Sequence, residues 1–370
     1  MTAKNEEMES LEHLKQVSKI KLTILQKYLP VWETILGSQP FWHGINYIDC
    51  YAGPGFYEYK GKKEQGSPLI VVQTAKEFLR KYPGKEMTVG LVENNAKQFT
   101  LLQKALKTLH PYPKNLTVDI QPGDSTDLIP NLLNVFKNLA PTFFMVDPYG
   151  HPLTIPILNQ ILSQKYTEAL INFMFFRINM DINNPKVKDR LNKMFGDEEW
   201  QKQEFIRYRG IQREIGMLEY FKGKLQARFK LHFRIRFDVE DKIRGNRTKY
   251  YLIHASNHVK AALLMKEVMW RLGDEEGLFD YGGSAQGILF SSSPTEYELR
   301  DYLLKNFSDK KMTFDEIREE TWEIPFIEKH YRAVLKKLER ESPPLVKIER
   351  VFSKKDGLQK NDLVYILPHV

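Results

Sequence analysis

Between residues 45 and 176, short apolar segments rich in Val, Ile, Leu and Phe alternate with amphipathic segments. The apolar segments have the length and composition of buried strands, and the others have the 3.6-residue period of helices. Because parallel strands need a crossover connection, the alternation predicts an open, mostly parallel sheet with helices on both faces. The predicted strands lie in the segments INYID, MTVGLVE, LTVDI, PTFFMVD and EALINFMFF.

The segments on either side of this repeat complete the predicted architecture. An apolar stripe of helical period runs through residues 8–36, and residues 185–230 are largely helical in pattern. The segments HFRIRFDV and TKYYLIHAS predict an antiparallel pair at the edge of the sheet. We therefore expect an N-terminal helical extension (1–40) followed by a Rossmann-like domain (41–290).

The C-terminal part of the chain has a different pattern. Three helical stretches, at about 295–307, 313–321 and 325–341, are followed by the β-like pieces LVKIERVF and LVYIL around a polar turn. Helix, helix, helix, strand, turn and strand is the order of a winged helix-turn-helix. We expect such a domain over residues 295–370.

Cysteine content and hydropathy exclude several classes of protein. Cys50 is the only cysteine, so neither an intrachain disulfide nor a cysteine-based metal site can form. The nine histidines lack metal-ligand spacing, so no metal is expected. No apolar run approaches the length of a membrane span, and the first residues do not form a secretory signal. We expect a cytoplasmic protein without a membrane partner.

The positive charge of the chain is concentrated in one segment. Residues 186–249 hold 18 Lys and Arg against 10 Asp and Glu, which accounts for the whole net charge of +8. Clustered basic residues indicate a polyanionic partner such as nucleic acid. A solvated helix face explains the same cluster. The strongest candidates for substrate contacts are Arg244, Arg247 and Lys249, in the predicted edge hairpin.

A glycine-rich turn follows the first predicted strand. An acid at the strand end can hold the ammonium group of an amino-acid-like cofactor, and the glycines let a ligand approach the backbone. A tight strand–helix turn is the structural alternative. The candidate cofactor-binding residues of this turn are Asp49, Ala52, Gly53, Pro54 and Gly55.

Further acids follow the next predicted strands. Glu93 ends the second strand, where a carboxylate can accept both ribose hydroxyls, and Asp124 with Ser125 follows the third, where an adenine amine can bind. Each acid could instead cap a helix, and Asp124 fits that role best. A dinucleotide site is disfavoured because Glu58 stands where a third glycine belongs, and no Gly-Lys-Ser or Gly-Lys-Thr marks a P-loop.

The fourth predicted strand ends in Asp147-Pro148-Tyr149-Gly150. This sequence is similar to the Asp-Pro-Pro-aromatic signature of amine methyltransferases, in which the acid and a backbone carbonyl accept hydrogen bonds from the target nitrogen. The resemblance implies that Asp147, Pro148 and Tyr149 are catalytic. We expect Asn172, at the end of the fifth strand, to help hold the substrate. A proline turn with a packed tyrosine is the structural alternative.

Several longer segments resemble one family, the three-Cys-motif partner proteins. They are KLTILQKYLPVWETILG, YIDCYAGPGFYE, GSPL, VDPYG and LINFM. Cys50-Tyr51 departs from the small or apolar residues expected before this turn. The resemblance implies a class I S-adenosylmethionine (SAM)-dependent methyltransferase with a winged-helix module. It also implies a partner protein that is radical-SAM-like and carries the cysteine motif.

Two functions therefore stay open. The first is an enzyme that methylates a nitrogen, with nucleic acid as one candidate acceptor. The alternative is a non-catalytic module that binds SAM or a partner protein. The winged-helix segment does not decide between them, because residues 295–370 hold 15 basic and 15 acidic side chains and a DNA-reading helix prefers a basic face. The sequence leaves the methyl acceptor and the oligomeric state undetermined.

Overall fold

The structure is a computed structural model that describes residues 11–135, 140–148, 153–237, 247–276, 279–280, 295–351 and 357–368. The chain divides into two compact units, Met1–Ala261 and Ala262–Val370. No helix of the described residues is long and apolar enough to cross a membrane.

The first unit is built on a mostly parallel sheet. Its strands, with the small hairpin β2–β3, are β1 (Gly44–Asp49), β2 (Phe56–Tyr59), β3 (Lys62–Gln65), β4 (Glu86–Glu93), β5 (Leu116–Pro122), β6 (Thr142–Val146), β7 (Thr167–Phe173), β8 (Phe229–Arg236) and β9 (Thr248–Ser256). Among the strands of Met1–Ala261, the order across the sheet is β8-β9-β7-β6-β1-β4-β5.

Strand directions confirm the predicted fold class. β1 pairs in parallel with β4 and β6, β4 with β5, and β6 with β7. β9 runs antiparallel to both β7 and β8, which gives the predicted antiparallel edge hairpin. The structure is therefore the predicted Rossmann-like, mostly parallel sheet with an antiparallel edge hairpin.

Helices connect these strands. They are α1 (Gln16–Gly37), α2 (Ser67–Lys81), α3 (Ala96–Lys107), α4 (Ser125–Val135), α5 (Ile155–Ser163), α6 (Phe175–Asp181), α7 (Lys188–Phe195) and α8 (Gly210–Lys224). Short 3₁₀ turns lie at Pro185–Val187, Glu199–Lys202 and Glu204–Ile206. Every residue of β7 is buried, as expected of a strand covered on both faces.

The fourth helix begins at a polar residue. α4 begins at Ser125, three positions before its first apolar residue, Leu128. The cause is Asp124, whose Oδ1 accepts hydrogen bonds from the backbone N–H of Thr126 at 2.8 Å and from its hydroxyl at 2.7 Å. This side chain satisfies a backbone donor of the first turn and so starts the helix.

The hairpin β2–β3 was not predicted. It lies between the glycine-rich turn and α2, and its strands pair antiparallel from Phe56 with Gln65 to Tyr59 with Lys62. The segment before α1 binds to it, because the Leu14 N–H donates to the Glu58 carbonyl at 2.7 Å and the Glu58 N–H to the Glu12 carbonyl at 2.9 Å. The hairpin thus fixes the segment that leads into α1.

A buried carboxylate fastens α1 to the sheet. Glu168 of β7 accepts hydrogen bonds from the Tyr28 hydroxyl and the Trp32 indole, each at 2.5 Å, and its Oε2 lies 2.6 Å from His254 Nε2. All four residues are buried. A buried carboxyl group needs such hydrogen-bond partners, so the network holds α1 in one position on the sheet.

The second unit has the predicted winged-helix order. Two elements come first: α9 (Val259–Glu276), which spans the division between the units, and a two-residue strand, β10 (Phe279–Asp280). The elements that follow are α10 (Glu296–Phe307), β11 (Lys310–Thr313), α11 (Phe314–Glu320), α12 (Glu328–Arg340), β12 (Val346–Glu349) and β13 (Leu363–Ile366). β13 pairs with both β11 and β12, so the sheet has one described strand more than the sequence predicted. Capping boxes at Thr295 and Thr313 begin α10 and α11.

Candidate functional site

The candidate cofactor residues meet at the carboxyl edge of the sheet. β1 lies between β4 and β6, with Asp49 in register with Leu91 on one side and Met145 on the other. Because parallel strands end at one edge, Asp49, Glu93 and Asp147 follow three neighbouring strands there. The strand order thus places these three acids at the same edge of the sheet.

Asp49 is a fully buried carboxyl. It accepts a hydrogen bond from the Tyr51 N–H at 3.1 Å and one from the Tyr47 hydroxyl at 3.3 Å. Burial raises the pKa of Asp49 to about 6, against the opposing effect of the Ser67 and Tyr51 hydrogen bonds, and the charge of Asp147 raises it further. Asp49 therefore carries a negative charge at pH 7 that an incoming cation stabilises.

Hydrogen bonds to Glu93 shape the glycine-rich turn. Glu93 Oε2 accepts from the Gly53 N–H at 2.8 Å, and Oε1 accepts from the Asn95 N–H at 2.7 Å. The Ala52 N–H donates to the Val92 carbonyl at 2.9 Å, and Ala52 and Pro54 are buried. The carboxylate thus holds the turn and keeps lone pairs for further donors.

The two glycines of the turn have different neighbours. Gly53 has φ +69°, and a Cβ built there would lie 2.4 Å from the Tyr57 hydroxyl. Gly55 has φ +88°, and its Cβ would lie 2.7 Å from Cβ of Ala105 on α3. Helix packing therefore explains Gly55, whereas Tyr57 occupies the space beside Gly53, and no sequence pattern marks this tyrosine as part of the site.

Asp124 and Ser125 are engaged in local structure. Asp124 Oδ1 caps α4, and Oδ2 lies 3.5 Å from the Asn94 side-chain nitrogen. The buried Ser125 hydroxyl donates to the Cys50 carbonyl and so joins the start of α4 to the glycine-rich turn. The capping alternative for Asp124 is confirmed, and only its second oxygen is left for a ligand.

Asp147 is held by two side chains. Its Oδ2 accepts from Lys21 Nζ, and its Oδ1 accepts from Asn172 Nδ2 at 2.6 Å. The Lys21 ammonium also lies 5.4 Å from the centroid of the Tyr250 ring. Lys21 was missed because a single lysine on an amphipathic helix gives no signal of a partner 126 residues away.

The side-chain oxygen of Asn172 is a buried hydrogen-bond acceptor that no described residue donates to. Asn172 is 4% exposed, and its Oδ1 has no hydrogen-bond partner within the described part of the chain. A carboxylate can only accept, so the amide nitrogen must face Asp147 and the amide oxygen must point away from it. Leaving such a buried acceptor unpaired costs about 1–3 kcal/mol.

A small apolar cavity adjoins Asn172. It has a volume of about 60 Å³ and lies at the carboxyl ends of β6 and β7. Pro148 and Asn172 belong to its wall, and Arg177, Asp181 and Arg190 line it as well, with both arginines paired to Asp181. The predicted catalytic residue Tyr149 lies outside the described residues.

The edge hairpin carries the candidate substrate cations. Arg247 is exposed and Lys249 is half-buried, with Lys249 Nζ 5.8 Å from the centroid of the Phe237 ring. At the end of β8, the half-buried Arg234 and Arg236 alternate with the buried residues Phe233, Ile235 and Phe237. Arg234 Nε pairs with Glu214 at 3.1 Å. Arg244 lies outside the described residues.

Basic residues of the winged-helix unit are partly neutralised. On α12, Arg332 pairs with Glu328 and Lys337 pairs with Glu296. Arg350 forms a further pair with Glu339. The neutral charge of this segment is thus accompanied by local pairing of opposite charges, which weakens a phosphate-binding face.

Comparisons with known proteins agree with the C-terminal fold. A family model described as "GMT-like wHTH domain" matches residues 279–343. No curated protein sequence matches the chain. Within the described residues, no group of three or more His, Cys, Asp and Glu side chains is placed to hold a metal ion.

Two of the solved structures that resemble this chain do so with low TM-scores. MNMC2 from Aquifex aeolicus is 11% identical with a TM-score of 0.33, over 66% of this chain and 63% of that one. Geranyl diphosphate C-methyltransferase from Streptomyces coelicolor A3(2), in a complex containing S-adenosyl-L-homocysteine, is 9% identical with a TM-score of 0.25, over 62% and 76%. The chain thus spans less than two thirds of the first structure, and neither likeness bears on function.

Proposed function

We propose that the protein is a SAM-dependent methyltransferase that transfers a methyl group to a nitrogen. The single observation that carries this proposal is the unpaired, buried oxygen of Asn172 beside the Asp147 carboxylate. Two adjacent acceptors at a strand end suit a ligand that donates N–H groups. The strand order supports the same class of enzyme.

The residues at the strand ends fit the cofactor. The charge of Asp49 suits its ammonium group, the spare lone pairs of Glu93 suit the ribose hydroxyls, and Asp124 Oδ2 suits an adenine amine. The positive φ of Gly53 keeps the turn free of a side chain. When bound, SAM supplies an electrophilic methyl group on a sulfonium.

The chain itself orients the acceptor. Asp147 fixes the Asn172 amide with its oxygen turned outward, and Lys21 balances the charge of Asp147. The outward oxygen and the remaining lone pairs of Asp147 accept N–H donors of the acceptor, so the nitrogen lone pair is left for transfer. Catalysis of this kind rests on proximity and orientation.

The family resemblance adds a partner to this proposal. Similarity to the three-Cys-motif partner proteins supports a radical-SAM-like protein as the companion of this chain. The alternative function is a non-catalytic module that binds SAM or that partner. It explains Asp49 and Glu93 but assigns no role to Asn172. Incorporation of tritium from [methyl-³H]SAM into the RNA, DNA or protein of native cell extracts separates the two, because only the enzyme transfers label.

Cofactor affinity should depend on pH through Asp49. Its folded pKa of about 6 means that the apo protein takes up a proton as the pH falls below 6 and loses the charge that pairs with the ammonium. We expect SAM affinity to fall about tenfold between pH 7.5 and pH 5, measured by calorimetry. Asp49→Asn should bind weakly at both values. Equal wild-type affinity at both pH values contradicts this role.

We further propose that the acceptor is a nucleic acid bound by the edge hairpin. The charge of residues 186–249 and the exposure of Arg247 support this choice. Replacing Arg244, Arg247 and Lys249 by alanine should weaken filter binding of total tRNA. It should also lower the slope of log K against log salt by about 2–3, through lost phosphate contacts.

The matched control replaces three basic residues of α12, Lys329, Lys336 and Arg340, by alanine. This triple variant should retain tRNA binding, because the winged-helix segment is neutral overall. Loss of binding in the control variant, or no binding by the wild-type protein at low salt, contradicts the assignment to the hairpin.

A further inference from the structure

Tyr57 stands between the glycine-rich turn and the start of α2. Its hydroxyl would be 2.4 Å from a Cβ on Gly53, and its ring carbon Cε2 would be 2.9 Å from a Cβ on Gly66. Gly66 immediately precedes α2 and is joined to the turn by its N–H, which donates to the Gly55 carbonyl at 2.7 Å. The tyrosine is therefore enclosed by two glycines, and its half-buried side chain lies at the proposed cofactor site.

The surroundings of this hydroxyl are negative. Burial raises the pKa of Tyr57, and the charges of Asp147, Asp49, Glu12 and Glu93 raise it further. The Glu93 carboxylate accepts a hydrogen bond from the Gly53 N–H, and the Tyr57 hydroxyl lies beside the same glycine. A hydroxyl oxygen and an aromatic face amid carboxylates attract a cation.

The position of Tyr57 is fixed by the rest of the site. β2 is paired with β3, and the neighbouring Glu58 is bonded through its backbone to Glu12 and Leu14. Of the acids near Tyr57, Asp147 is already balanced by Lys21. The negative charges of Asp49 and Glu93 can then be balanced by positive charge on a ligand. SAM carries two positive charges, on its ammonium and its sulfonium, and its demethylated product keeps only the ammonium.

We propose that Tyr57 recognises the sulfonium of SAM and makes the site prefer the charged cofactor over its neutral thioether product. This inference rests on the proposed function and gives its cofactor site a specificity residue. The product then loses a favourable contact at the moment of transfer, which favours its release. The preference arises from the tyrosine oxygen and ring together with the nearby carboxylates.

Calorimetry with three ligands tests the inference without any methyl acceptor. The ligands are SAM, S-adenosylhomocysteine, and sinefungin, in which an amine-bearing carbon replaces the sulfonium. For Tyr57→Leu we expect the affinities for SAM and sinefungin to fall at least tenfold and that for S-adenosylhomocysteine less than threefold. Tyr57→Phe, which keeps the ring beside Gly66, should lose about threefold for the two cationic ligands.

Tyr59→Leu is the matched control, because Tyr59 lies on the same hairpin but contacts the cations of Lys19 and Lys60. It should bind all three ligands like the wild-type protein. Equal losses for all three ligands in Tyr57→Leu, or no loss, overturn the inference and leave the cofactor assignment intact. If the wild-type protein binds none of them, the cofactor assignment fails and this inference fails with it.

Discussion

Gly53→Val abolishes SAM binding, with an expected loss of affinity of at least about 100-fold. Two effects combine in this variant. Gly53 has φ +69°, where a residue with a side chain is less stable by about 1–2 kcal/mol. In addition, its Cβ would come within 2.4 Å of the Tyr57 hydroxyl, so either Tyr57 or the turn must move. Displacement of the turn also breaks the hydrogen bond from the Gly53 N–H to Glu93.

The control for backbone strain is Gly61→Val in the turn of the β2–β3 hairpin. Gly61 has φ +75°, and nothing lies within 4 Å of its built Cβ. It therefore bears a similar conformational penalty without a clash and should keep SAM affinity within about threefold. Calorimetric titration compares the two, with circular dichroism to check folding. Equal loss in both variants, or wild-type affinity in Gly53→Val, contradicts the account of this turn.

Asp147→Asn is expected to lower methyl transfer at least about 100-fold and to leave SAM affinity within threefold. An asparagine at 147 has one oxygen where the aspartate has two. If its nitrogen faces Asn172 Nδ2, Asn172 must rotate and its oxygen no longer points toward the acceptor. If its oxygen faces Asn172 Nδ2, its NH2 donor replaces the carboxylate oxygen whose lone pairs would accept from the substrate. The measurement is label transfer from [methyl-³H]SAM to the acceptor pool that the wild-type protein labels.

A second variant separates this effect from instability. Removing the charge of Asp147 leaves the nearly buried Lys21 ammonium without its carboxylate, which costs about 3 kcal/mol or more. The double variant Lys21→Met/Asp147→Asn removes both charges, so its thermal stability should return toward that of the wild type while transfer stays low. Restored transfer in the double variant contradicts the assigned role of Asp147, and so does SAM affinity that falls along with transfer.

The parallel sheet was predictable because its strands are continuous apolar runs separated by helical periods. Three of these apolar runs have an acid at the end or directly after it. Asp49, Glu93 and Asp147 could therefore be placed at one edge before their contacts were known. Helix capping by Asp124 was the alternative to its predicted contact with adenine, and it was available from sequence because the residues that Asp124 caps follow it directly.

Other parts of the site depend on contacts that no local pattern shows. The strands FYEY and KKEQ are short, polar and at least partly exposed, so they lack the apolar signal of a core strand. Consequently Tyr57 was not recognised as part of the site. Lys21 and Glu168 acquire their meaning only when α1 packs on the sheet, which brings together residues more than 100 positions apart.

The most direct test of the central claim is calorimetric titration of the full-length wild-type protein with SAM at pH 7.5, with S-adenosylhomocysteine as the second ligand. We expect saturable binding of SAM at one site per chain, with loss of that binding in Gly53→Val and weakened binding in Glu93→Ala. Absence of any heat of binding or thermal stabilisation at millimolar SAM contradicts the claim that this chain is a SAM-dependent methyltransferase.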